Sequence, residues 1–132
     1  DAAVHADALK LAARVAVAHP EHAAQLHKVL ESPFPLGLNE QLRLRCAIIV
    51  ASQVPEDGAA RAARIHLSME PWVFWDQDML ESRMWAYRKT GHPLEATARL
   101  ELMDFIEETR RRSAVAVKDD RPSIAGNSAE KN

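Results

Sequence analysis

Residues 75–106, WDQDMLESRMWAYRKTGHPLEATARLELMDFI, admit one local reading: two helices joined by a tight turn. Asp78 and Glu81 have the three-residue spacing of a capping box, and Asp76 is a further anionic cap candidate beside the positive end of the helix dipole. Leu80, Met84 and Tyr87 repeat at helical spacing and form one apolar stripe. Arg88 and Lys89 then fall in the last turn, and Gly91 stands where a left-handed residue closes a helix. Pro93 suits the first turn of the next helix, where its missing N–H costs nothing. The inward face of that helix reads as Leu94, Ala98, Leu102 and Phe105, with Ala96, Leu100 and Met103 alongside.

The same punctuation divides the rest of the chain. Residues 2–18 predict a helix with Val4, Ala8, Leu11, Val15 and Ala18 on its apolar stripe, ended by Pro20. A second helix, 20–31, faces inward through Ala23, Leu26 and Leu30. The connection 32–39 holds two prolines and a glycine and is irregular, after which Asn39 can cap a helix over 40–54. That helix is apolar nearly all round at CAIIVAS, so it belongs in the middle of the stack, with Ile49 among its core residues. Pro55 breaks it, and a fourth helix runs to about residue 69 on Ala62, Ile65 and Met69. The run Arg110–Arg112 fits a final helix end. Residues 113–132 carry no sustained periodicity and read as a flexible tail behind a single helical domain over 1–112. The predicted fold class is therefore all-α, a stack of three antiparallel helical hairpins.

Composition excludes more than it selects. A formal net charge of −2 gives no electrostatic reason to bind nucleic acid, and no apolar run reaches the length of a membrane span. Cys46 stands alone, so no internal disulfide can form. The compartment and the oligomeric state stay open.

The hairpins turn at Pro20, Pro55 and Pro93, roughly 35 to 38 residues apart, an interval found in helical-hairpin arrays. Residues 98–102, ARLEL, also align with ARIHL at 63–67. On these features the chain resembles the tetratricopeptide repeat family. In the last hairpin the match falls on Tyr87 for the family's first-helix tyrosine, Gly91 at its turn, Ala96 for its close-contact alanine and Leu100 for its large second-helix residue. Leu80 stands where the family has Trp, Met84 where it has Gly or Ala, and no proline closes the repeat near Glu108. The resemblance implies a concave face lined by the first helix of each hairpin and a protein or peptide partner held on it.

No catalytic constellation is expected, and no cofactor or metal. The six histidines lack ligand spacing across HPEH and read as surface or capping residues. Cys46 reads as a small buried hydrophobe without a base partner. Asp76, Asp78 and Glu81 read as helix-start acids rather than an acid/base pair. The expected function is that of a protein- or peptide-binding module, as scaffold, adaptor or chaperone. The resemblance places Glu81, Trp85, Arg88 and Lys89 on the exposed side of the fifth helix, with Arg43 or Arg45 bordering the same groove and Trp85 as its anchor. Trp72 and Trp75 have two readings: rings tucked over the junction of two hairpins, or a second anchor for a partner. Two other functions stay open. Because the chain opens at Asp1 with helical residues already under way, one is a soluble helical extension of a larger protein, such as a membrane-bound glycan polymerase or oligosaccharide transferase. The other is a small helical enzyme using histidines and carboxylates.

Overall fold

The computed structural model describes residues 1–33 and 39–119. Among them are six α-helices and no strand: α1 (Ala2–Ala18), α2 (Ala23–Leu30), α3 (Glu40–Ser52), α4 (Gly58–Met69), α5 (Gln77–Thr90) and α6 (Glu95–Asp119), with a short 3-10 turn Pro20–His22 before α2. The expected connection 32–39 and the tail lie largely outside the described residues. The all-helical class stands.

α3 is the hub. It packs against α1, α2, α4 and, more lightly, α5, while α4 packs on α5 and α5 on α6. Its all-round apolar sequence has this cause: Cys46, Ala47 and Val50 join Leu9, Ala13, Ala16, Ala23 and Leu30 in one cluster, and Ala51 joins Ala62, Ala63, Ala86, Tyr87 and Ala98 in another. Both clusters are rich in alanine, which lets backbones approach closely and leaves a thin core. Where α4 begins, the approach is closer than alanine allows. A Cβ on Gly58 would stand 2.8 Å from the Ser52 carbonyl oxygen and 3.0 Å from that of Ala51. Gly58→Ala, although it favours helix locally, should therefore destabilise the fold by about 1–3 kcal/mol, read as a lower urea midpoint; an unchanged or raised midpoint would show that α4 shifts freely.

The helix ends follow the sequence closely. Gly91 closes α5 at φ 63°, with its N–H on the Arg88 carbonyl. Asp76 is the α5 cap, accepting from the Met79 N–H at 3.1 Å, so the Asp78–Glu81 capping box does not form and Glu81 instead accepts from Gln77 at 2.8 Å. Pro93 lies in the turn before α6, whose first helical residue is Glu95. Asn39 stands at the α3 cap position, but its φ of 60° turns the side chain away, and Nδ2 donates to the Ala2 carbonyl at 2.9 Å, tying α3 to the start of α1.

Four sequence expectations are corrected. α1 buries Leu9, Ala13 and Ala16, and the expected stripe residues Val4 and Leu11 are 63% and 54% exposed. On a helix apolar on several sides, the side that docks is the one whose alanines let α3 come closest. On α6, Ala98 and Leu102 are buried, while Ala96, Leu100 and Met103 face solvent. The residues that matched the tetratricopeptide pattern at Ala96 and Leu100 thus lie outside the helix crossing. Ile49 is half-buried, and its neighbours Ile48 and Val50 carry the core instead. Finally, the helix does not end at Arg112: Ser113–Asp119, expected in the tail, continue α6, helped by the Glu107–Arg111 and Glu108–Arg112 pairs one turn apart.

Candidate functional site

Three exposed residues of the stripe expected to face inward from α1, Val4, Ala8 and Leu11, line a broad concavity instead. A cleft of about 1010 Å³ runs between α1, α3 and the start of α5, with Val4 and Leu11 on the α1 wall, Leu42, Cys46 and Ile49 from α3, and Met79 from α5. Past Ile49, Asp78 and Met79 it opens into a recess of about 550 Å³ that reaches Glu81, Ser82 and Trp85. The rims are charged. Lys10 and Arg14 stand on the α1 side beside Asp7, and Asp76 and Asp78 on the α5 side.

Arg45 of α3 reaches the α5 rim. Its guanidinium pairs with Asp76 at 2.5 Å and lies 4.1 Å from the centroid of the Phe74 ring, so one arginine fixes both the α5 cap and the loop before it. Cys46 is buried beneath the cleft, and burial pushes its thiol up from the ordinary range, which leaves it protonated and unreactive at neutral pH.

The residues expected to bind are dispersed. Arg45 lines the cleft, and Glu81 and Trp85 line the adjoining recess. Trp85 is half-buried against the second core cluster, so its ring is shared between core and surface. Arg88 and Lys89 are exposed further along α5, with Arg88 3.7 Å from Glu95. Arg43 does not border the groove. It is buried on the opposite side of α3, where it donates to Glu40 and to the Leu30 carbonyl, because Arg43 and Arg45 two positions apart on a helix must point to different faces. Both tryptophans of the 70–76 connection reach solvent: Trp75 packs edge-on to Phe105 of α6 at 6.0 Å and is 49% exposed, and Trp72 is 87% exposed.

A buried polar network under α5 escaped the sequence reading. Arg83 is 1% exposed and pairs with Glu70 at 2.6 Å and with Glu101 of α6, while the Tyr87 hydroxyl donates to Glu70 at 2.8 Å. Burial works against the Arg83 charge, but the hydrogen bonds it donates to Glu70 and Glu101 outweigh that and hold the guanidinium more firmly protonated. Burial and the neighbouring Glu70 carboxylate push the Tyr87 phenol up to about 12. His66 sits beside this network, 3.1 Å from Ser82 Oγ; burial and the Arg83 charge push it down to about 4, too weak a base to activate a hydroxyl at neutral pH. His27 and His66, expected at the surface, are both buried, whereas His19 and His22 are exposed. Among the described residues no group of three His, Cys, Asp or Glu side chains is placed to hold a metal ion, and no helix is long and apolar enough to cross a membrane.

Compared with protein-family models, with curated proteins and with solved structures, the chain matches none of them.

Proposed function

We propose that this chain is a protein- or peptide-binding helical module whose partner segment seats in the cleft formed by α1, α3 and α5. The observation that carries the reading is the apolar wall left in solvent, with Val4 and Leu11 facing Leu42, Ile49 and Met79 across an open cleft. Contiguous exposed apolar surface with a polar rim is characteristic of interaction sites. The rims, with Lys10 and Arg14 toward one side and Asp76 and Asp78 toward the other, suit an amphipathic helix whose flanks carry the complementary charges. A cleft lined by the first, third and fifth helices is also what tetratricopeptide-like stacking of three antiparallel hairpins would produce, and on that basis we read the chain as a repeat module of this kind, serving as scaffold, adaptor or chaperone.

The test is capture by the intact chain with mass spectrometry of the retained proteins, followed by affinity measurement with Leu11→Asp. Leu11 is more than half exposed, so the thermal midpoint should move by no more than a surface change does, equivalent to about 0.5 kcal/mol. Burying a carboxylate against the partner should weaken binding by about 2 kcal/mol or more. A partner held equally well by Leu11→Asp would remove the cleft from the interface.

A second reading, in which the module is a helical extension of a larger protein such as a membrane-bound glycan polymerase or oligosaccharide transferase, draws support from α6. Leu100 and Met103 on its outer side are 59% and 58% exposed, where the terminal helix of a self-sufficient stack would be polar.

A further inference from the structure

Away from the cleft, α2, α3 and α4 enclose a recess of about 330 Å³ into which three arginines, Arg43, Arg61 and Arg64, project beside the buried ring of His27. We propose that this recess binds a phosphate-sized oxyanion, either free or as the phosphate group of a small monoester.

The arginines have different roles. Arg43 is fully committed, donating to Glu40 and to the Leu30 carbonyl, and forms a fixed cationic wall. Arg61 is held by Asp57, whose two oxygens each accept from Nε at 2.9 Å, and its Nη1 meets His27 Nδ1 at 3.0 Å, which leaves the remaining terminal nitrogen for a ligand. Arg64 makes no hydrogen bond or ion pair among the described residues and brings five N–H donors to the mouth. Arg61, fixed by Asp57 and His27, and the unpaired Arg64 at the mouth both keep open donors in the planar fork that binds phosphate oxygens. His27 adds a titratable probe. Burial holds it below its ordinary range and Arg61 and Arg64 push it further down, while Glu31 and Asp57 act the other way.

Three carboxylates oppose an anion, two of which, Asp57 and Glu40, are already paired with Arg61 and Arg43. Glu31 reaches the rim with an oxygen 3.8 Å from His27 Nδ1, but more than half of its side chain is in solvent and it is free to swing outward. A volume near the lower end for small-ligand pockets limits the ligand to a phosphate group with little attached.

The experiment titrates inorganic phosphate, and separately phosphoserine, into the full chain at fixed ionic strength, following the His27 ring signals by NMR. Fixed ionic strength removes general screening from the reading. Binding should shift the His27 resonances and raise the pH at which they titrate. Arg64→Gln should weaken binding about tenfold, the loss of one charge-assisted hydrogen bond, and Glu31→Gln should tighten it. Both residues are exposed, so thermal midpoints confirm that the variants stay folded. Tighter binding of phosphoserine assigns the site to a monoester, and equal binding to free phosphate. Undisturbed His27 signals at saturating phosphate, or affinities that neither variant changes, would overturn the proposal and leave Arg43 and Arg61 as structural ion pairs.

Discussion

Truncating Arg83 to alanine should cost about 3–5 kcal/mol, roughly a fifth or more of the stability of an ordinary domain. The reason lies in what the guanidinium joins. Glu70 follows the end of α4, Arg83 sits in the middle of α5 and Glu101 belongs to α6, so one buried cation closes contacts to three elements. α6 depends on this closure, because its fully buried apolar residues are only Ala98 and Leu102. Removing the cation leaves Glu70 largely buried without its partner and the Tyr87 hydroxyl bonded to an uncompensated carboxylate. Lysine should not restore the site, since a single ammonium cannot present the two directed edges that the carboxylates occupy. Arg112→Ala is the matched control: it removes an arginine paired with Glu108, but that side chain is 78% exposed, and such a pair contributes about 0–1 kcal/mol. Urea unfolding of the three variants decides the matter. If Arg83→Ala shifts the midpoint no further than Arg112→Ala, the network is incidental and apolar contacts alone hold α6.

Comparing these two arginines also shows what a sequence can reveal of such a fold. Helix existence and most ends were legible, because proline and glycine act locally: Pro20, Pro55 and Gly91 stand at or beside observed boundaries. The α5 stripe was legible in large part, since Leu80 and Tyr87 are buried and Met84 is half-buried, although Met79 beside the stripe is buried as well. α1 was not, because alanines surround Val4 and Leu11 on several sides and periodicity cannot rank one apolar side over another. Closeness of approach decided it, and that belongs to the pair of helices. Arg83 was invisible for a related reason. A buried charge is recognised by its partners, and Glu70 and Glu101 lie 13 and 18 residues away on other elements. The cleft inherits both difficulties. Arg45, Glu81 and Trp85 were found through the repeat resemblance, but its apolar wall is made of the residues that had been assigned to the core.

Stability should fall by about 3 kcal/mol as pH drops from near 6.5 to near 4 through the protonation of His66 alone. The folded protein holds this imidazole down at about 4, first through burial and then through the Arg83 charge, with Glu70 opposing. In the unfolded chain a histidine titrates near its ordinary value of about 6.5. Below that value the unfolded state binds a proton that the folded state refuses, so stability rises with pH across this window and levels off above it. The contribution is complete above about pH 6.5 and is lost as pH falls toward 4. His27 is shifted in the same direction by burial, and its effect adds to the slope without changing its sign. Subtraction isolates His66. His66→Gln keeps a polar group within reach of Ser82 and cannot titrate, so its stability should be flatter than the wild type between pH 6.5 and 4, whatever it loses at neutral pH. Urea midpoints taken at half-unit steps of pH provide the measurement. Parallel curves for the two proteins would mean that His66 opens to solvent before it is protonated, and that the floor of the network breathes on a scale smaller than global unfolding.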